Sequence, residues 1–368
     1  MIHDAPNPKQ ETVELRPSLS EPLGLGFCSN SRVASWRNRF VALLVAADTL
    51  ILRANGVAIS HASAAPEAAI EEQRVEALAR QGVHQMMDGD LRGAIGHFHQ
   101  VETEDPGSPL GYLLEADAAW WEIYYSTANL IDPDVFDVVH ADTTPYDEEF
   151  SSLVKESIHK AQDRIRTHQD VARSYLYEGM AYALDGRLAG LRNKDLATAR
   201  DGKKMRSLLL TAVTLDPHLT DAYAGLGLYN YFVATLPAIV RMLRFLIGLP
   251  GGSREEGIQE LYQAAQHGDL VRAEAQFYLA KDFTRTYELQ FGRSLQLFQQ
   301  LAEDFPDNPF WKLMVGSVHM RLGQRDAGEA IYREILAQTA MKKPVVAKAV
   351  HQQVSSALKR LHPGENFE

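Results

Sequence analysis

Three histidines stand close together, at His84, His97 and His99, and imidazole nitrogens are frequent ligands for zinc and copper. His97 and His99 are two positions apart, so on a helix they turn to different sides, and the set lacks a metal-ligand spacing. Gly225-Leu226-Gly227 is a lone Gly-x-Gly inside a helical pattern, where a small packing residue explains Gly227 better than a phosphate loop does. The sequence has no Gly-x-x-x-x-Gly-Lys-Ser/Thr, no His-Glu-x-x-His and no Gly-x-Ser-x-Gly. Its only cysteine, Cys28, excludes an intramolecular disulfide and any Cys-x-x-Cys pair. Phe27 before Cys28, and an apolar run that comes after it, do not fit a lipidated cysteine. The expectation is a chain without catalysis, cofactor or metal.

Aromatic residues offer a different chemistry. Tyr112, Trp120, Trp121, Tyr124 and Tyr125 share one stretch, and Tyr175, Tyr177, Tyr182, Tyr223, Tyr229 and Tyr231 crowd the middle. Spacing by three and four is what a buried helix face needs, so most should be core, while some could line a groove for a bound peptide. The apolar stretch from Phe232 to Leu249 is interrupted by Pro237, Arg241 and Arg244, which argues against a membrane span. Residues 237–249 read as an insertion helix packed on neighbours or, alternatively, as an amphipathic helix lying at a membrane surface.

Composition sets the outer bounds. The chain has 368 residues with 45% hydrophobic and 23% charged side chains, as ordinary folding chains do. Its 37 Lys and Arg against 48 Asp and Glu give a net charge of −11, which excludes a broad nucleic-acid footprint. Residues 1–32 carry Pro6, Pro8, Pro17 and Pro22 without a sustained apolar period and read as a disordered lead. Residues 33–64, with Arg32 just before them, follow the order of a secretory signal: the basic patch Arg32, Arg37 and Arg39, the apolar run Phe40 to Leu52, then Ala62-Ser63-Ala64. Asp48 interrupts that run, and initiation near Val33 would make the order more regular. The expected location is periplasmic or exported, with the 40–52 segment cleaved or kept as an anchor, and the alternative is cytoplasmic. Residues 65–368 are then the folded body.

That body is helical in pattern from Val75 onward, and it repeats. Gly82 and Gly89 are seven residues apart, as are Gly179 and Gly186, and Gly316 and Gly323. Ala94 and Phe98 in the first copy correspond to Gly328 and Tyr332 in the last. A second ruler agrees: ten residues after Pro106, Pro217 and Pro306 stand Ala116, Gly227 and Gly316. A small residue midway along one helix lets its partner approach closely. The second glycine stops the helix in a left-handed conformation, and the proline closes the unit.

These positions resemble the tetratricopeptide repeat (TPR) family, whose 34-residue unit has small residues at its eighth and twentieth positions and a proline at its thirty-second. Gly82, Ala94 and Pro106 occupy those places, and Gly316 and Gly328 match the first two. The resemblance implies an all-α, right-handed solenoid of about six TPR-like helical hairpins between Val75 and roughly Ala340. About fourteen extra residues lie between Gly186 and Pro217, about eighteen between Gly227 and Gly257, and a Pro/Asp-rich insertion runs from Asp132 to Tyr146. The carboxyl-terminal half is also similar to the eukaryotic TPR family linked to inclusion-body clearance, through GLYNYFVATLPAIVRMLRFLIGLPGGSREEGIQELYQAA and AEDFPDNPFWKLMVGSVHMRLGQ. The second resemblance implies no catalytic residues, and the TPR resemblance implies a non-catalytic scaffold or adaptor that binds a peptide or protein segment in a concave groove. Projecting the repeat's inner positions onto this chain selects Arg173, Asp221, Tyr231, Phe310 and Arg321 as groove contacts.

Overall fold

Gly89 and Gly323 are the second members of their glycine pairs, and both have left the helix, with φ of +89° and +74°. Only glycine enters that region without a steric cost, so each ends one helix and admits the next. The computed structural model describes residues 64–132, 143–236, 248–340, 344–365 and 367. Among these every regular element is an α-helix: α1 Ala64–Met87, α2 Leu91–Glu104, α3 Leu110–Thr127, α4 Tyr146–Arg166, α5 Val171–Leu191, α6 Asp195–Leu215, α7 Ala222–Thr235, α8 Arg254–His267, α9 Arg272–Thr284, α10 Phe291–Asp304, α11 Pro309–Arg321, α12 Arg325–Thr339 and α13 Val345–Leu361. Each helix packs on the next in sequence, as short connections between antiparallel neighbours require. All belong to the unit His61–Glu368. The expected lead at 1–32 and nearly all of the signal-like segment 33–64 lie outside the described residues, as do 133–142 and 237–247.

The small residues of the repeat mark where helices touch. A Cβ placed on Gly82 would lie 2.3 Å from Phe98 Cε1, and one on Gly316 would lie 2.8 Å from Tyr332 Cε1. Phe98 and Tyr332 are corresponding positions of the repeat, and Gly328 also lies against its helix partner, a Cβ there standing 3.1 Å from the Gly316 carbonyl oxygen. Gly179 meets Leu209 in the same way, and at Gly227 the approach is between backbones, a Cβ there lying 2.8 Å from the Gly257 carbonyl oxygen. Helix starts are capped by side chains at several places. Asp90 accepts from the Gly93 N–H at 3.0 Å, Ser253 from Glu256 at 3.2 Å and Asn308 from Phe310 at 3.1 Å.

One expectation needs correction. Gly186 is not a turn, because it lies within α5, which continues to Leu191. The stop comes at Asn193, whose φ is +54°. Asparagine is among the few side-chain-bearing residues that tolerate this region. The extra residues of this copy therefore lengthen its two helices to 21 residues each, against 13 and 15 in α11 and α12. No long loop is inserted between them.

Burial separates two kinds of helix. In α3, 14 of 18 residues are buried, and in α9, 12 of 13. In α4 only 4 of 21 are, and in α10 only 3 of 14. The first kind is enclosed on most sides and the second covers it with one apolar stripe. The last helix does not stand at a free end: α13 packs on α11 and also on α3. Gln353 of α13 accepts from the Leu130 N–H and donates to the Ala128 carbonyl, both at 2.8 Å. The Met87 carbonyl, left unpaired at the end of α1, receives the Asn308 Nδ2 and Trp311 Nε1 donors at 2.8 Å each. Asp88 Oδ1 accepts from the Asp307 N–H at 3.0 Å. The chain thus returns to its own first hairpin.

Candidate functional site

The enclosed helices converge on a cluster of aromatic rings. Trp121 of α3 lies 5.4 Å from Tyr125, 5.7 Å from Phe277 of α9, and 6.3 and 6.0 Å from Phe310 and Trp311 of α11, centre to centre. Several of these pairs are edge-on or tilted, the arrangements that ring quadrupoles favour, and all five rings are buried. The stretch that could have offered rings to a peptide instead fills the interior with them.

Beside this cluster a charged group joins three helices. Arg187 of α5 makes a two-pronged contact with Glu274 of α9 at 2.7 and 3.1 Å. The same guanidinium lies 3.6 Å from Asp117 Oδ1 of α3 and 5.0 Å from the centre of the Tyr278 ring. One cation serves two carboxylates. Burial, then the neighbouring Glu274 charge, push the Asp117 carboxyl well above its usual range, and Arg187 offsets this only in part. Burial disfavours the Arg187 cation, but Glu274, Tyr278 and Asp117 outweigh it and hold the charge. These groups border a recess of about 30 Å³ walled by Leu113, Met180, Leu184 and Val271, room for about one water molecule. No nucleophile stands beside a base here; the arrangement can clamp helices together and hold a proton on Asp117. Nothing in the sequence marks it, because its members are 70 and 87 residues apart.

The five projected groove residues are placed as follows. Tyr231 and Phe310 have no exposed surface, and the Tyr231 hydroxyl donates to the Asp282 carbonyl at 3.4 Å. Asp221 is buried and receives the backbone N–H of Asp269 at 2.7 Å and of Leu270 at 3.2 Å, which caps the entry to α9. Arg173 is one-third exposed and pairs with Glu72 and, at 2.9 Å, with Glu76 of α1. Arg321 keeps 36% of its side chain exposed and pairs with Asp132. These five are therefore not brought together into one patch; each serves a different junction.

Of the three histidines, His84 and His97 border one open surface recess with Arg80, Gln81 and Gln85, and His99 turns away from it. His84 stacks edge-on against Phe305 at 5.2 Å, and His99 bonds Glu115 at 2.8 Å. Among the described residues no group of three or more His, Cys, Asp or Glu could hold a metal ion, and no helix is long and apolar enough to cross a membrane. The expected amphipathic helix at 237–249 falls mostly outside the described residues, which resume at Gly248. Compared with known proteins, the sequence matches no family model and no curated protein.

Proposed function

We propose that this chain is a non-catalytic interaction scaffold, a right-handed solenoid of six TPR-like hairpins from α1/α2 to α11/α12 with α13 as a closing helix. The observation that supports the reading is the close approach of Gly82 to Phe98 and of Gly316 to Tyr332, with Gly328 against the Gly316 carbonyl, which brings together small and aromatic positions that recur in the repeat. Its partner is a protein segment with carboxylates, and its contacts are Arg173 and Arg321. Both arginines keep exposed surface, and both are engaged with acids from another part of the chain. Exposed pairs of this kind are worth little on their own, about 0–1 kcal/mol, so a partner's carboxylate can replace the resident one. Export of the body fits the order of basic patch, apolar run and Ala62-Ser63-Ala64.

Affinity capture from the native cell envelope, with the intact protein against one carrying Arg173→Ala and Arg321→Ala, tests the assignment. The intact protein should retain a partner that the double variant loses. An identical captured set from both would remove these arginines from the interface. Amino-terminal sequencing of the native protein tests cleavage: a start near Ala65 is expected, and a start at Met1 contradicts it.

A further inference from the structure

The outward face of α6 differs from those of the other covering helices. Seven large hydrophobic side chains are exposed among the described residues, and three of them are on this helix: Leu196 at 77%, Leu210 at 38% and Leu215 at 53%. Leu196, Arg200, Lys203, Ser207, Leu210 and Thr214 are all exposed and follow one another by three and four, so they form a single stripe. Lys204 borders it, with 47% of its side chain exposed. From Leu196 to Leu215 the only acid is Asp201, which is buried at 1% beneath the stripe. By contrast, α4 exposes Glu148, Glu149, Lys155, His159, Gln162 and Arg166 without a large apolar side chain.

The charges on the stripe are set by α5 and α6 and, at Lys203, by Gly248, where a Cβ would lie 2.9 Å from the ammonium. Glu178 is buried and stands 3.9 Å from Lys204. Asp201 takes Arg200 at 2.8 Å, yet the Arg200 side chain remains 72% exposed. Arg206 turns aside over the Tyr229 ring at 5.4 Å. Asp201 and Glu178 thus lie below the cations and leucines, while Asp195 is exposed at the start of the helix and Asp185 of α5 is half-buried near Arg200. A leucine-and-cation face on a protein of net charge −11 is complementary to one kind of surface, which is apolar just beneath a layer of negative charge.

We propose that the outer face of α6 docks on an anionic lipid membrane, lying flat in its interface. Leu196, Leu210 and Leu215 enter the boundary between headgroups and acyl chains, and Lys203, Lys204 and Arg200 reach the phosphates. The helix presents about 30 Å of length along the surface, at about 1.5 Å per residue. The acidic remainder of the protein is repelled by the same membrane, which fixes the orientation.

Flotation of the full-length protein with phosphatidylserine-containing vesicles, and with vesicles of phosphatidylcholine alone, tests this. The variants are Leu196→Ser with Leu210→Ser, and Lys203→Glu with Lys204→Gln; the latter choice avoids a second carboxylate beside Glu178. These positions are exposed, so unchanged circular dichroism and melting temperature are expected. The wild type should float with the anionic vesicles only, both variants should lose roughly tenfold or more of that binding, and Lys155→Glu on α4 should float as the wild type does. No flotation of the wild type, equal flotation on phosphatidylcholine alone, or unaltered flotation of both α6 variants would each overturn the proposal. In the last case, loss of flotation in Leu243→Asp with Leu246→Asp would assign the membrane contact to the 237–249 stretch.

Discussion

At the scale of single residues, the account turns on contacts too close to admit a methyl group. Gly227→Ala should destabilise the protein by about 1–3 kcal/mol, because the new Cβ would meet the Gly257 carbonyl and the Leu261 N at 2.8 Å, and backbone cannot step aside. Gly96→Ala is the matched control: nothing lies within 4 Å of that position, so the better helix former should add about 0.5–1 kcal/mol. Urea denaturation of the two variants measures both. A second prediction concerns protons. Burial pushes the Asp282 carboxyl up from 3.8 to about 7, with Arg285 and Lys281 offsetting part of the cost. The folded protein then holds this proton where the unfolded chain has lost it, so the site's contribution to stability falls as pH rises from about 4 to about 7. Asp282→Asn should flatten that decline in a pH series of denaturation midpoints, and an unchanged slope would show that Asp282 does not titrate there. The repeat glycines were legible in the sequence because their spacing recurs. Asp117, Arg187 and Glu274 were not, since a junction of three distant helices leaves no periodic trace.

At the scale of helices, most of the arrangement follows from period and punctuation. Glycine at a fixed interval gave the stop after α1 and the stop after α11, and the prolines at 106 and 306 fall in the turns that precede α3 and α11. The same interval misled at Gly186, because a glycine is a stop only where the chain also needs a left-handed residue. There the helix runs on and the glycine faces Asp201 Cβ at 3.6 Å, an ordinary contact with space for a methyl group. Gly186→Ala should therefore be neutral or add up to about 1 kcal/mol, whereas Gly89→Ala should cost about 1–2 kcal/mol for its left-handed backbone. Thermal melts of the pair decide between a packing site and a turn: a loss at Gly186 comparable to that at Gly89 would restore the turn. The projected groove residues show the other limit of such reading. A resemblance to a repeat family suggests which side of a helix faces inward, but whether that side meets a partner or the chain's own rings depends on Trp121, Phe277 and Trp311, whose three helices come together only in the fold.

At the scale of the molecule, closure distinguishes this chain from an open array. In an open array each repeat touches only its neighbours, and unfolding can begin at either end. Here Asn308, Trp311 and Asp307 bond to the end of α1 and the turn after it, and Gln353 bonds the backbone beyond α3. The first hairpin and the last helices should therefore open together. Asn308 is the residue to remove, because it is buried, joins the Met87 carbonyl to the Tyr125 hydroxyl, and caps α11. The direct measurement is native-state amide hydrogen exchange across α1, α2, α11 and α13 in the wild type and in Asn308→Ala. One shared opening free energy at both ends is expected, lowered in both by about 2 kcal/mol in the variant. Protection in α1 and α2 that stays unchanged while α11 and α13 loosen would contradict closure and return the chain to an open series of hairpins.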